Sequence, residues 1–320
     1  MAVTIRDVAR QAQVSVSTVS RALSAPGLVK DATRQRVLDV VAGLGYQPNR
    51  AARSLITGRT GNLGIVVPDL TNPFFPSVLR GVQTRAGEAG TSVFFCDSRE
   101  DPETEAELVR TMAAQVDGVV LCASLLPDEA VAELAALTPL VLINRIVPGV
   151  SSVLMDSASG MEQVVAHLEA LGHDDFVYLG GPAAAWSNTR RMQGLRGRAR
   201  LLGSFEPNFG GGVAAAEQAL ETGATVFIAY NDLMALGVLS HLAARDVQVP
   251  RQISVTGFDD ILYAAMCSPA LTTVHMPTEE AGEVAVDLLA ALLDGGPADQ
   301  RELPTTLVVR SSTAEAHSAP

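Results

Sequence analysis

From residue 61 onward, two hydrophobic rhythms take turns along the chain. Short unbroken apolar runs, LGIVV (63–67), SVFFC (92–96), GVVLC (118–122), LVLIN (140–144), FVYLG (176–180), TVFIA (225–229), ISVTG (253–257) and TTLVV (305–309), are separated by longer segments such as ETEAELVRTMAAQ and DLMALGVLSHLAA. The runs are short and do not alternate, which is how a strand buried on both faces reads; the segments between them repeat apolar residues at helical spacing. The pattern predicts repeated βα units, hence parallel sheets covered on both faces, an α/β core. Eight such strands fit two doubly wound lobes better than one sheet, with a (β/α)8 barrel as the alternative.

The first sixty residues follow another pattern. Thr4 stands three residues before Asp7, the spacing of a capping box, and Ile5, Val8 and Ala9 recur at helical spacing until Ala12-Gln13-Val14 interrupts them. Ser15 offers a second N-cap, with Val19, Ala22 and Leu23 on one face and Ser17, Thr18 and Arg21 on the other. A third helix is predicted over 31–44, with Val37, Val40, Val41 and Leu44 as its stripe and Gly45 as its stop. The second helix opens on short hydrogen-bonding side chains, as a helix entering a major groove requires. A small solvated three-helix cap stays open as the alternative on pattern alone.

Charge changes this picture. The net charge of -12 hides nine Lys/Arg against three acids in residues 1–60 (+6) and fourteen against thirty-two in the remainder (-18). A basic segment on an acidic body is the footprint of a nucleic-acid-binding module joined to a separate regulatory domain. No stretch approaches the ~18 apolar residues of a membrane span, and MAVTIRDVARQ lacks the apolar core of an export signal, so a cytoplasmic chain with no membrane partner is expected. Cys96, Cys122 and Cys267 are widely spaced, and two of them close apolar runs, which reads as reduced core thiols rather than a metal site or disulfide. The five His show no HxxxH or HExxH spacing, no GxSxG or GxxxxGK[ST] occurs, and the adjacent pairs Asp174-Asp175 and Asp259-Asp260 do not place two carboxylates across a bond, so catalysis is not expected.

Three segments in order, TIRDVARQAQVSVSTVSRAL (4–23), TRQRVLDVVAGLGYQPNRAARSL (33–55) and GNLGIVVPDLTNPFF (61–75), resemble the lactose-repressor (LacI/GalR) family of bacterial transcription regulators. The resemblance implies a helix-turn-helix head over 1–47 and a hinge helix or linker over 48–60. It further implies a periplasmic-binding-protein-like core with an N-terminal lobe (61–156 plus 277–304) and a C-terminal lobe (157–276 plus 305–312); the residues of the tail (313–320) themselves read as disordered. By the resemblance Val16, Ser17 and Arg21 read bases, and Thr4, Ser15, Thr18 and Ser20 meet phosphates. Asn49, Arg50, Ala52, Arg53 and Leu55 form the hinge, with Leu55 as a minor-groove wedge; the physics agrees, since Arg50 and Arg53 supply the flanking cations an apolar wedge needs. The implied partners are a pseudo-palindromic double-stranded operator, a second copy of the chain and a small effector, with no cofactor or metal. No apolar heptad follows residue 312, so no tetramerising helix is expected.

In open α/β sheets, ligands sit beyond the strand C-termini. The resemblance carries Phe74, Ser124, Asn144, Trp186, Arg191, Phe205, Asn231 and Asp259 to an effector cleft between the lobes. Amides, an acid, a guanidinium and aromatic rings suit neighbouring hydroxyls, so the expected effector is a sugar, and a purine or other metabolite is the alternative. A sugar-binding protein of transport or chemotaxis would share the core but not the basic head. Two positions depart from the family. Gln13 stands where it usually has Gly, at a cost of about 1 kcal/mol if the turn needs positive φ. RMQGLRGRARLLGSFEPNFGGG (191–212) is short, with two Gly where helix interior is expected and LLGSF as its strand, which predicts a truncated edge helix and an impaired C-terminal lobe.

Overall fold

The computed structural model describes residues 3–24, 26–46 and 59–316. The chain separates into two compact units, Met1–Gly61 and Asn62–Pro320. In the first, helices α1 (Ile5–Ala12), α2 (Val16–Ser24) and α3 (Asp31–Leu44) enclose Val8, Ala9, Ala12, Val19, Ala22 and Val37. The box between Thr4 and Asp7 is formed, and Gln13 closes α1 in the left-handed region at φ 54°, the conformation that favours Gly. The Ser15 hydroxyl accepts from the Thr18 N–H at 3.1 Å and so caps α2.

The second unit holds a six-stranded sheet built from β1 (Asn62–Val67), β2 (Ser92–Asp97), β3 (Gly118–Cys122), β4 (Leu140–Ile143), β5 (Ser151–Met155) and β11 (Gln300–Leu303). Their order is β11-β5-β4-β3-β1-β2, and every pairing is parallel. Four more, β6 (Phe176–Leu179), β7 (Ala199–Leu202), β8 (Val226–Ala229) and β9 (Ser254–Thr256), make a second parallel sheet in the order β7-β6-β8-β9. An antiparallel pair, β10 (Thr273–His275) and β12 (Thr306–Val308), stands apart from both. Helices α4 (Phe74–Glu88), α5 (Pro102–Ala113), α6 (Asp128–Leu137) and α12 (Thr278–Leu293) serve the larger sheet. The smaller sheet's lobe carries α7 (Ser157–Ala170), α8 (Trp186–Leu195), α9 (Phe209–Leu220), α10 (Asp232–Ala244) and the short α11 (Leu262–Met266). The architecture is therefore two doubly wound lobes and not a closed barrel.

Two expectations need correction. The segment 191–212 accommodates the end of one helix, a strand and the start of the next. α8 stops at Leu195, Arg196 (φ 49°) and Gly197 (φ 73°) turn the chain, β7 begins at Ala199 rather than Leu201, and α9 starts behind the N-cap Asn208. Nor is Gly194 a weak point in a helix: a β-carbon there would lie 2.3 Å from the Ala158 carbonyl oxygen, so only Gly lets α8 approach α7. The C-terminal stretch is also more ordered than expected. The His173 ring lies 2.9 Å from the Ala314 carbonyl oxygen, the His167 ring 3.0 Å from the Thr313 hydroxyl, and Ala316 N–H donates to the Leu171 carbonyl at 2.8 Å, which pins 313–316 to the smaller sheet's lobe. Residues 317–320 lie outside the described residues.

Candidate functional site

On the head, Val16, Ser17 and Arg21 are exposed on the first two turns of α2, and Val16 is 42% accessible despite being apolar. Ser15 is exposed and hydrogen-bonded to both Ser17 and Thr18 through hydroxyls at 2.8 Å; Thr18 and Ser20 are half-buried. Thr4 is exposed and donates its hydroxyl to Asp7 at 2.6 Å. A helix N-terminus with short hydrogen-bonding side chains can meet both phosphate and base edges. The hinge positions Asn49, Arg50, Ala52, Arg53 and Leu55 lie outside the described residues.

In the core, the residues that follow strands of both sheets face one cleft, whose empty volume is about 650 Å³ with its solvent-open part included. The larger sheet's lobe contributes Pro68, Asn72, Phe74, Phe75, Glu100, Ala123, Leu125 and Asn144; the smaller contributes Pro182, Ala185, Trp186, Ser187, Arg191, Pro207, Tyr230, Asn231 and Asp259. The centre is an ion pair: Arg191 donates to Asp259 at 2.9 Å, with side chains 4% and 7% exposed. Arg191 also donates to the Tyr230 carbonyl, and its guanidinium lies 4.5 Å from the Tyr230 ring centroid and 3.9 Å from that of Phe258. The planar cation is thus held rigid by stacking, a mode that Lys cannot reproduce. Burial raises the Asp259 carboxyl to about 6, while Arg191 pulls it down.

The amides are equally fixed. Asn144 sits at φ 56° directly after β4, and its Oδ1 accepts from the Met155 N–H at 3.1 Å. Asn231 caps α10 by accepting from the Met234 N–H at 2.9 Å and donates to the Pro207 carbonyl at 2.8 Å. Trp186 opens α8 with the Arg190 guanidinium 5.6 Å from its ring, and Phe74 meets Phe75 edge-on at 5.1 Å.

Two of the sequence-derived positions are not brought to the cleft. The Ser124 hydroxyl turns back to the buried Glu105 carboxylate, leaving neighbours Ala123 and Leu125 on the cleft wall. The Phe205 ring folds over Gly203 and packs against the smaller sheet's core, and Pro207 reaches the cleft instead. The sequence reading missed Asn72, Glu100 and Tyr230, and left Phe75 and Ser187, which also line the cleft, out of its set. Tyr230 stands directly after a strand, so the rule that found Asn231 could have found it; its hydroxyl lies 2.8 Å from that of Ser187. Burial and the carboxylates of Asp69, Glu206 and Asp97 push Glu100 up to about 7. Among the described residues, no group of His, Cys, Asp and Glu could hold a metal ion, and no helix is long and apolar enough to cross a membrane.

Comparison with known proteins adds to this geometry. Residues 4–49 match the profile of bacterial regulatory proteins of the lacI family, and residues 165–313 that of a periplasmic binding protein-like domain. The chain is 32% identical over 322 residues to the ribose operon repressor of Halalkalibacterium halodurans, covering 97% of each. It is 31% identical over 329 residues to the transcriptional repressor CytR of Escherichia coli, covering 98% of this chain and 96% of that one. The crystal structure of the lac repressor dimer bound to operator and an anti-inducer superposes with a TM-score of 0.85 at 28% identity, covering 98% of this chain and 100% of that one. A LacI family regulator from Enterococcus faecium with bound ribose superposes with a TM-score of 0.71 at 26% identity, covering 80% and 100%.

Proposed function

The chain belongs to the lacI family of bacterial transcription regulators, and from that membership we propose that it is an operator-specific repressor whose hold on DNA is set by a sugar-like effector between its core lobes. The family consists of DNA-binding regulators rather than enzymes, and the protein acts as a homodimer on double-stranded operator DNA. The observation that carries the effector reading is the buried Arg191–Asp259 pair opening onto the cleft. A rigid fork beside a carboxylate offers donors and an acceptor to neighbouring hydroxyls, and Asn144, Asn231, Trp186 and Phe74 supply amides and ring faces around it. The ribose-bound relative supports a sugar as the class.

We assign 1–47 to the head, 48–60 to the hinge, 61–156 plus 277–304 to one lobe and 157–276 plus 305–312 to the other. Val16, Ser17 and Arg21 read bases; Thr4, Ser15, Thr18 and Ser20 contact phosphates; Asn49, Arg50, Ala52, Arg53 and Leu55 order in the minor groove. The effector favours one relative orientation of the lobes, and only one orientation lets the two Leu55 wedges of the dimer order together. This is a population shift, bounded by the effector's differential affinity for the two states. The protein works where the chromosome is, in the cytoplasm.

Selection from random duplex DNA by the full chain tests the first half: the expected product is an inverted repeat, and Arg21→Ala relaxes one base position in each half-site. Arg191→Ala tests the second. It removes the calorimetric signal of the responsive sugar and leaves the selected operator bound; undiminished sugar affinity would show that the cleft is misread.

A further inference from the structure

Glu100 is held in the cleft wall by an uncommon backbone. Arg99 (φ 54°) and Glu100 (φ 58°) are successive non-glycine residues in the left-handed region. The turn is fixed by Glu100 N–H donating to the Pro68 carbonyl at 2.8 Å and Arg99 N–H donating to the Asp97 carboxylate at 2.8 Å. A glycine would adopt this path freely, so a carboxylate here sits against the conformational preference of the chain.

The charge around it is one-sided. Asp69 and Asp97 stand on the same lobe and Glu206 on the facing one, and all three act on Glu100. Asp69 accepts from the Thr71 N–H and hydroxyl, and Asp97 from the backbone N–H groups of Leu70 and Arg99. The guanidinium in the wall, Arg191, is already neutralised by Asp259. The lining's uncompensated charge is therefore the carboxylate of Glu100, in a cleft that Phe74, Phe75, Trp186 and Tyr230 also line. A second set of groups points to the rest of the ligand: the Arg191 Nε is buried with no hydrogen-bond partner, and only Oδ1 of Asp259 is engaged.

Building on the effector-cleft reading above, we propose that Glu100 sets the charge class of the ligand: a polyhydroxylated molecule bearing an ammonium group, an amino sugar rather than a neutral one. Its hydroxyls meet Arg191 and Asp259, and its ammonium meets Glu100 and the aromatic faces, whose negative quadrupole suits a cation. Closing the lobes on a neutral ligand brings Glu206 toward Glu100 with like charges opposed; an ammonium between them turns that repulsion into attraction. The ligand's charge is thereby coupled to lobe closure. The raised Glu100 carboxyl, at about 7, agrees with a site that lacks its cation.

The test is calorimetric titration of the full chain at neutral pH with three matched pairs: glucose and glucosamine, galactose and galactosamine, mannose and mannosamine. At least one amino sugar binds about 10-fold or more tightly than its neutral partner, and in Glu100→Gln that preference falls to within about two-fold. Glu100→Gly, which relaxes the backbone and so folds, shows the same loss. A neutral sugar as the tightest ligand, or a preference unchanged in both variants, overturns the assignment of Glu100 while leaving the sugar cleft standing. Calcium binding without sugar, lost in the same variants, overturns it in favour of a metal. No binding by any of the six probes overturns the amino-sugar assignment together with the sugar reading of the cleft.

Discussion

At the scale of single residues, the cleft holds two carboxyls whose protons are bound more tightly in the folded chain than in the unfolded one. Burial raises Asp259 from 3.8 to about 6, and burial with the neighbouring acids raises Glu100 from 4.5 to about 7. A carboxyl raised by folding contributes stability below its unfolded value, and that contribution is lost as pH rises through the folded value. Glu100→Gln is therefore expected to melt with wild type near pH 4 and at a higher temperature near pH 8, the gap opening between about 4.5 and 7; scanning calorimetry across that range checks it, and a gap independent of pH would point to packing instead. How far these residues were legible follows from where side chains turn. Asn144, Trp186, Arg191, Asn231 and Asp259 reach the cleft because the ends of buried strands converge there. Ser124 and Phe205 satisfy the same positional rule and fail it because Glu105 and the smaller sheet's core capture their side chains. Glu100 follows its strand by three residues, and only the double left-handed turn aims it inward, a conformation that nothing in REDP announces.

At the scale of elements, the apolar runs located β1, β3, β4, β6, β8 and β9 to within two residues, because a buried parallel strand of this kind has no polar side to alternate with. The strands that escaped are of another kind. β11 reads QREL and three of its four residues are exposed, and β5 opens with two serines that are buried all the same. β11 is an edge strand, and edge strands carry polar residues that blunt further pairing, so its sequence resembles a loop. Gly194 shows the converse, a residue that reads as a defect and works as a contact. Its place on α8 suggests a direct trial of how far the helix governs the cleft. Gly194→Ala drives a methyl into the Ala158 carbonyl and is expected to destabilise the core by about 1–3 kcal/mol. Because α8 also carries Trp186, Ser187 and Arg191, sugar affinity falls although residue 194 does not line the cleft. Urea unfolding and titration calorimetry on one preparation decide this, and an intact affinity in a destabilised protein would show that α8 pivots about its N-terminal end.

At the scale of the whole molecule, the distribution of charge and of exposed apolar side chains describes what the chain needs from a second copy. Phe94 and Phe95 on β2, the outer strand of the six-stranded sheet, are 48% and 52% accessible; Leu262 and Met266 on α11 are 69% and 70%. Each lobe thus exposes a pair of large apolar side chains, and we assign both pairs to the homodimer interface. The head, at +6 over residues 1–60, is drawn to phosphate, whereas the remainder, at -18, repels it. One head engages one half-site against that repulsion; two heads joined through their cores convert the second contact into an intramolecular one, which multiplies affinity by roughly 10²–10⁴. Leu262→Asp combined with Met266→Asp places like charges on both sides of a self-complementary interface. The double variant is expected to sediment as a monomer and to lose operator affinity by at least ~100-fold, while retaining sugar binding, since neither residue lines the cleft. A variant that stays dimeric would move the interface to the β2 patch alone, and one that is monomeric yet holds the operator at wild-type affinity would show that a single head suffices.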